Sequence, residues 1–525
     1  MNLTLSCRAA VCGMMVIMAI AGIEGCRPAP QSTPAAAPSP APAATAPMAL
    51  APLRLLAPDE WSPLPPRMLG YNTNAPATAA GLPRAPWDHP KLVQAMNQLQ
   101  PGALRFPGGT LSQYHNWQSE HLELPHPFGQ RVTPQALAVH GNQAGFLELC
   151  RQVGASPVFT MNLLQENRPD PLAWVASLTG SDGVPAVKHW ELGNEVPEVL
   201  FYKKQYAGAI KTVEDYIAAA RPVGQEMLQR YPGIAVAVTA AAPIHFQQIH
   251  VPDEKPNHRQ WNHALGQDRS FYNAVVHHEY LHPWLQFQAK LGWTVHRRAQ
   301  WMFALGDSWP AFMAEYHRQD FGDLPLWLTE VGIVTWEKPG DDSPGETWYG
   351  RLAEFNFIVS ILAQRGPVTM ICKHMAAVPR AWMPIQVRTG GGQLNEARIT
   401  YPTGKMFTHL GQAVYGGGQI ATWRVDAGEF PGALRFKDRQ YPVLKAVAIR
   451  RDDSTTLILI NRGEAPLTMA LPQGTWSGAS FHAALDARDA QVNEQAIDLS
   501  PGQALTVQPY SFTMIQQDAT RGTSP

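Results

Sequence analysis

Between about residue 66 and residue 415, short apolar runs alternate with longer stretches whose apolar positions recur at helical spacing. Eight runs stand out: Arg67–Tyr71, Ala103–Phe106, Pro157–Asn162, Val187–Gly193, Ile234–Thr239, Ala274–Tyr280, Leu326–Glu330 and Val368–Cys372. Ala144–Val153, Val213–Arg230 and Tyr349–Gln364 carry the helical period between them, the last read as amphipathic and ended by Gly366-Pro367. Continuous apolar runs are what strands buried on both faces look like, and intervening helices return the chain so that successive strands lie parallel. Eight such units predict an α/β fold, a (β/α)8 barrel over residues 66–415, with a doubly wound open sheet as the alternative topology.

After Gly416–Gly418 the texture changes to short alternating strands such as Leu457–Ile460 and Ala504–Val507, separated by turn signals at Pro472-Gln473-Gly474 and Pro501-Gly502. That pattern predicts a β-sandwich over 416–520, with 52–65 as a candidate for completing it. At the other end, Arg8, the apolar run Ala9–Ile23 and Gly25-Cys26 have the layout of a secretory signal in 1–25, cleaved just before a cysteine. It resembles a bacterial lipoprotein signal, which implies lipid attachment at Cys26 and an exported protein tethered to a membrane. Plain cleavage and an uncleaved anchor are the alternatives. Residues 26–52 are rich in Pro and Ala, a composition that buries no core and serves as a tether.

Charge narrows the partners. With 41 Lys and Arg against 42 Asp and Glu, the formal net charge is −1, which does not suit a nucleic-acid binder that must displace counterions from phosphate. Sixteen Trp and 14 Tyr suit the apolar faces of sugar rings, although core packing explains any one of them equally well. Of five cysteines only Cys150 and Cys372 fall in the folded part, and both sit in apolar segments, so buried free thiols are expected rather than a bridge.

In a barrel of this kind reactive groups stand where strands end, on the C-terminal face. The fourth run closes on His189-Trp190-Glu191-Leu192-Gly193-Asn194-Glu195 and the seventh on Trp327-Leu328-Thr329-Glu330-Val331-Gly332. Each brings one carboxylate to the rim. A retaining glycosidase needs such a pair about 5–5.5 Å apart, one a proton donor and the other a nucleophile. On this reading Glu195 is the general acid/base and Glu330 the nucleophile, with Arg105, at the end of the second run, placed to keep Glu330 ionised. Glu191 shares the parity of Glu195 but lies deeper, where a buried cation or hydroxyl is its expected partner.

The segments Arg105-Phe106-Pro107-Gly108-Gly109, Glu191-Leu192-Gly193-Asn194-Glu195 and Thr329-Glu330-Val331-Gly332 together resemble the strand 2, 4 and 7 motifs of glycoside hydrolase clan A. In texture they are closest to the heparanase/β-glucuronidase-like and α-L-arabinofuranosidase families. The resemblance covers residues 66–415 and implies that Asn194 binds the sugar 2-hydroxyl and that a strand 6 tyrosine touches the nucleophile. Tyr280 fills that place, with His278 on the same face; a one-residue shift of register would substitute His277. Asn162 and Asn72 are further candidates for sugar hydroxyls, each equally suited to turn or capping duty. The eighth run departs from many clan members, because Cys372-Lys373-His374 stands where an aromatic platform is common. Lys373 is then a candidate partner for a uronate carboxylate, with a solvated rim lysine as the plainer alternative.

Trp117, Trp261, Trp336 and Trp348 are candidate stacking platforms for an oligo- or polysaccharide, or else packing residues. No metal or organic cofactor is implied. Two other functions compete: His278-Glu279-Tyr280-Leu281-His282 matches the HExxH pattern of zinc peptidases, but apolar Ala274–Val276 before it and Pro283 after it argue for a strand where that pattern needs a helix. A barrel that holds cell-surface polysaccharide without cutting it is the second alternative.

Overall fold

The computed structural model describes residues 52–56, 58, 60–74, 81–123, 137–165, 168–181, 183–198, 210–243, 256–282, 292–333, 344–378, 383–426 and 433–517. The signal-like segment, Cys26, the tether and Trp336 lie outside them. Eight parallel strands close into a barrel: β1 (Leu69–Asn72), β2 (Ala103–Phe106), β3 (Ser156–Thr160), β4 (His189–Leu192), β5 (Ala235–Thr239), β6 (Ala274–Leu281), β7 (Leu326–Ile333) and β8 (Val368–His374). Each falls on one of the eight apolar runs. β8 pairs with β1, so the circle is complete and the open-sheet alternative is excluded.

The barrel interior is filled by side chains from alternating strand positions, with Ala103, Val158, Ala237, Ala274, Val276 and Cys372 around the larger Trp327 and Met370. Helices cover the outside, each set by local signals. Thr212 and Asp215 form a reciprocal capping box on Val213–Arg230, and Gly154, in a left-handed conformation at φ 71°, ends Gln143–Val153. Trp348–Gln364 differs from the amphipathic helix expected: every residue from Trp348 to Leu362 is buried. It lies between the barrel on one side and the C-terminal sheet on the other, and so needs no solvent face.

That C-terminal sheet is antiparallel in most of its pairings and recruits the segment before the barrel. Leu53–Leu56 runs antiparallel to Gly418–Asp426 and parallel to Leu467–Ala470, and Ser62–Leu64 also pairs with Gly418–Asp426. Strand alternation gives the sheet two apolar faces. Leu444, Ala446, Leu457, Leu459, Trp476 and Ile515 fill a core of their own, while Val447, Ile458, Ile460, Phe481 and Phe512 join the helix layer of the barrel. The ring of Phe512 lies 4.9 Å from that of Phe355 on Trp348–Gln364. Cys150 and Cys372 are buried free thiols.

Polar contacts lock this interface. Asp307, on the helix Val295–Phe321, takes Arg462 and Lys445 from the sheet, and Asn356 and Ser360 from Trp348–Gln364 complete the cluster. Asp307 is held below the ordinary aspartate range: burial opposes this, but the charges of Arg462 and Lys445 outweigh it.

A second buried polar group lies behind β6. With Val276, His278 and Tyr280 facing the barrel interior, His277 and Glu279 face outward against Val295–Phe321, where His277 meets the rings of Tyr316 and His317. Burial pushes Glu279 up to about 8 and His277 down to about 3. The two, 3.6 Å apart, are therefore a neutral pair at neutral pH rather than an ion pair.

Two stability measurements follow from these clusters. Asp307→Ala strands two buried cations and is expected to cost about 3–5 kcal/mol, read as a lowered denaturant midpoint; an unchanged midpoint contradicts the locking role. Glu279 has a folded pKa of about 8, above its unfolded value, so its contribution is fully present below pH ~4.5 and lost as pH rises through about 8. The difference in Tm between Glu279→Gln and the parent chain should therefore grow in the variant's favour from pH 5 to pH 8; a constant difference contradicts the assignment.

Candidate active site

Neighbouring strand ends bring the polar residues of the C-terminal face together. Register pairs His374 with Asn72, Asn72 with Arg105, Thr160 with Glu191, and His278 with Glu330. On β7, strict alternation from the inward Trp327 would turn Glu330 outward. The pairing with β8 instead shifts between Leu328 and Val331, and this extra residue brings Glu330 in alongside Thr329. At β4 the chain turns sharply. Gly193 has φ 97°, where a Cβ would lie 2.7 Å from Val196, and Glu195 follows at φ 44°. A left-handed conformation is unfavourable for a glutamate by about 1–3 kcal/mol, and strain of this kind collects at functional sites.

Arg105 is the hub. Fully buried, it donates through Nε and Nη2 to Glu191 Oε2 at 2.8 and 2.6 Å, through Nη2 to Asn194 Oδ1 at 2.7 Å, and through Nη1 to Glu330 Oε1 at 2.8 Å. Thr160 adds a hydroxyl to Glu191 Oε2 at 2.9 Å, so Glu191 has both the cation and the hydroxyl expected of it. Gln113 donates to the Asn194 carbonyl and fixes the turn. Asn72 donates to Glu330 Oε1 at 3.1 Å, and the Tyr280 hydroxyl donates to Glu330 Oε2 at 2.5 Å. Burial alone would raise the Glu330 pKa. The charges of His278 and Arg105, with the Tyr280 hydroxyl, overcome it and hold Glu330 well below the usual carboxylate range. Tyr280 is held far above the ordinary phenol value, by burial first and then by the Glu330 charge.

His278 connects the two carboxylates. Its Nδ1 lies 3.1 Å from Glu195 Oε1 and 3.7 Å from Glu330 Oε2, and Nε2 stands 3.3 Å from Thr329 Oγ1. Burial would lower its pKa, but the Glu330 charge and the bond to Glu195 raise it above the ordinary histidine value. One residue missed in the sequence belongs here. Glu198, one helical turn beyond Glu195, is raised to about 7 by burial and by the Glu195 charge, and accepts from the Ala242 amide at 3.5 Å.

Other expected residues are placed elsewhere. Asn162 spends its carboxamide on its own loop, accepting from the Leu164 and Gln165 amides and donating to the Gln165 side chain. Lys373 points away from the cleft and is buried against Glu354 at 2.9 Å, which corrects its reading as a uronate partner: alternation on β8 turns Cys372 and His374 inward and Lys373 out. Trp261 and Trp348 are core residues, leaving Trp117, stacked on Trp174, as the half-buried member of the described set. His278 and Tyr280 lie on the strand Ala274–Leu281 and His282 just past its end. Four strand residues span about 13 Å, so the HExxH pattern does not bring its histidines onto one metal.

Glu195, His278 and Glu330 each offer a ligand atom, all within 4.8 Å of one another, and form the described group with metal-binding spacing. Their charges are already met within the protein: Arg105 and Tyr280 occupy both oxygens of Glu330, and His278 bridges to Glu195. The chemistry offered is that of a strongly ionised carboxylate facing a second carboxyl with a titratable partner.

No family model matches the sequence, and no curated protein matches it. Solved structures do match the fold. The family 51 α-L-arabinofuranosidase AbfB of Bifidobacterium longum is similar with a TM-score of 0.68 at 16% identity, over 89% of this chain and 100% of that one. An α-L-arabinofuranosidase of Thermotoga maritima, solved with arabinose, gives 0.57 at 16% over 89% and 99%, and a family 44 xyloglucanase of Paenibacillus polymyxa gives 0.51 at 10% over 89% and 99%. The chain thus has the (β/α)8-barrel and β-sandwich fold of these glycoside hydrolases, the fold its strand 2, 4 and 7 motifs point to.

Proposed function

We propose that the chain hydrolyses O-glycosidic bonds of an oligo- or polysaccharide with retention of anomeric configuration. The observation that carries this reading is the pair of carboxylates on β7 and after β4, with oxygens within 4.8 Å of each other. That separation is the short spacing that suits direct attack by one on the sugar, well under the roughly 6.5–9.5 Å that a nucleophilic water between sugar and carboxylate requires. The glycosidase neighbours support the same chemistry.

Glu330, kept ionised by its neighbours, attacks the anomeric carbon while Glu195 gives its proton to the departing oxygen. The resulting ester removes the Glu330 charge. Glu195, now a carboxylate, takes a proton from water as that water attacks the anomeric carbon and releases Glu330. His278 supports both stages because it touches both carboxyls, and Tyr280 steadies Glu330. Asn194 gives its oxygen to Arg105 and keeps a buried Nδ2 donor without a protein partner, which suits a contact to the sugar 2-hydroxyl. A non-catalytic binding protein would need neither the depressed Glu330 nor the strained Glu195. Export and lipid attachment at Cys26 complete the proposal, resting on the residues from Arg8 to Cys26.

Hydrolysis of a panel of aryl glycosides (glucuronide, arabinofuranoside, xyloside, glucoside and galactoside) tests it. Glu330→Ala should lower kcat at least ~10³-fold on whichever member is cleaved. Glu195→Ala should cost ~10²–10⁴-fold with poor leaving groups and less with good ones, which need little protonation. Equal losses across leaving groups would remove Glu195 from the acid role.

A further inference from the structure

His374 is the last residue of β8, and it faces inward beside Glu330, with Nδ1 3.5 Å from Glu330 Oε2. Its hydrogen bonding fixes its chemistry. Asn72 Nδ2 has two hydrogens, one directed at Glu330 Oε1 at 3.1 Å and the other at His374 Nδ1 at 2.7 Å. Glu330 is an acceptor, so the carboxamide nitrogen faces both groups and Nδ1 of His374 must accept. The imidazole is therefore the neutral Nε2–H tautomer, in keeping with burial, which lowers its pKa to about 4. The ring is held edge-on to Tyr280, at 5.9 Å and 77°. Every group that orients His374 thus also orients Glu330. Yet Nε2 is buried without a protein partner, and a donor left unpaired in such a place calls for one.

We infer that His374 is a specificity-determining residue whose Nε2–H donates to a hydroxyl of the glycone held against Glu330. This rests on the glycosidase reading and deepens it. Where an aromatic platform would grip a sugar by its apolar face, this chain presents a directional, uncharged donor from the same strand end. An uncharged donor selects a hydroxyl by position and gives a carboxylate no ion pair. Lys373, the neighbouring cation on β8, is committed to Glu354. The contact also couples recognition to chemistry, because a glycone seated on Nε2 is registered, through Asn72, against the oxygen of Glu330.

The test compares the parent chain with His374→Phe, which keeps a flat ring without the donor, and His374→Gln, which can accept from Asn72 and donate outward. Each is assayed on the cleaved aryl glycoside and its monodeoxy analogues, with Tm recorded for each variant. Binding of the same glycosides is measured by titration calorimetry in a Glu330→Gln background. His374→Phe should lower kcat/KM about tenfold on the full glycoside, and His374→Gln should restore most of it. On one monodeoxy analogue the parent and His374→Phe should converge. A His374→Phe deficit that is the same on every analogue, or not rescued by Gln in a variant of unchanged Tm, overturns the inference. Binding that follows the deoxy pattern without turnover would sink the glycosidase reading and leave His374 standing.

Discussion

One buried cation organises the site. Arg105 has no solvent to fall back on, and its donors go to Glu191, Asn194 and Glu330. Three strands are thereby held at one register: β2 supplies the cation, β4 and its turn supply one anion and an amide, and β7 supplies the other anion. Taking such charges out of water is costly unless each is met at good geometry. Here each is met, and that requirement accounts for several residues that would otherwise look incidental. Thr160 satisfies a Glu191 oxygen, Asn72 a Glu330 oxygen, and Gly108 sits so close to Asn72 that a Cβ would fall 2.0 Å from its carboxamide oxygen.

The two carboxyls acquire different characters from different surroundings. Glu330 lies among groups that favour its charge, whereas Glu195 sits in a strained turn beside His278, with the acidic Glu198 one turn on. Two carboxyls set in surroundings as different as these are what double displacement requires. The outward face of β6 supplies a contrast. Glu279 and His277 are as buried as Glu330, but there burial outweighs the neighbouring charge and they remain neutral.

Much of this arrangement is legible in the sequence because it depends on period and on strand ends. The eight apolar runs locate all eight strands, and alternation from Val276 places His278 and Tyr280 inside and His277 outside. What escapes the sequence depends on tertiary context. The β7 bulge that turns Glu330 inward has no local signature, since Thr329-Glu330-Val331 reads as regular strand. Trp348–Gln364 looks amphipathic until a second layer covers its polar side with Asp307, Arg462 and Lys445. Lys373 reads as a rim charge, yet Glu354 on that same helix claims it. Asn162 offers the same side chain for a turn as for a sugar, and only coordinates show that the turn has it.

The step we propose for this site is direct attack of Glu330 on the sugar, with Glu195 as its proton partner. Proton NMR of the first product formed from a cleaved aryl glycoside, recorded before mutarotation, tests this most directly. With Glu330 as nucleophile, the released sugar initially has the anomeric configuration of the substrate; initial release of the opposite anomer would mean that a water had attacked in place of Glu330.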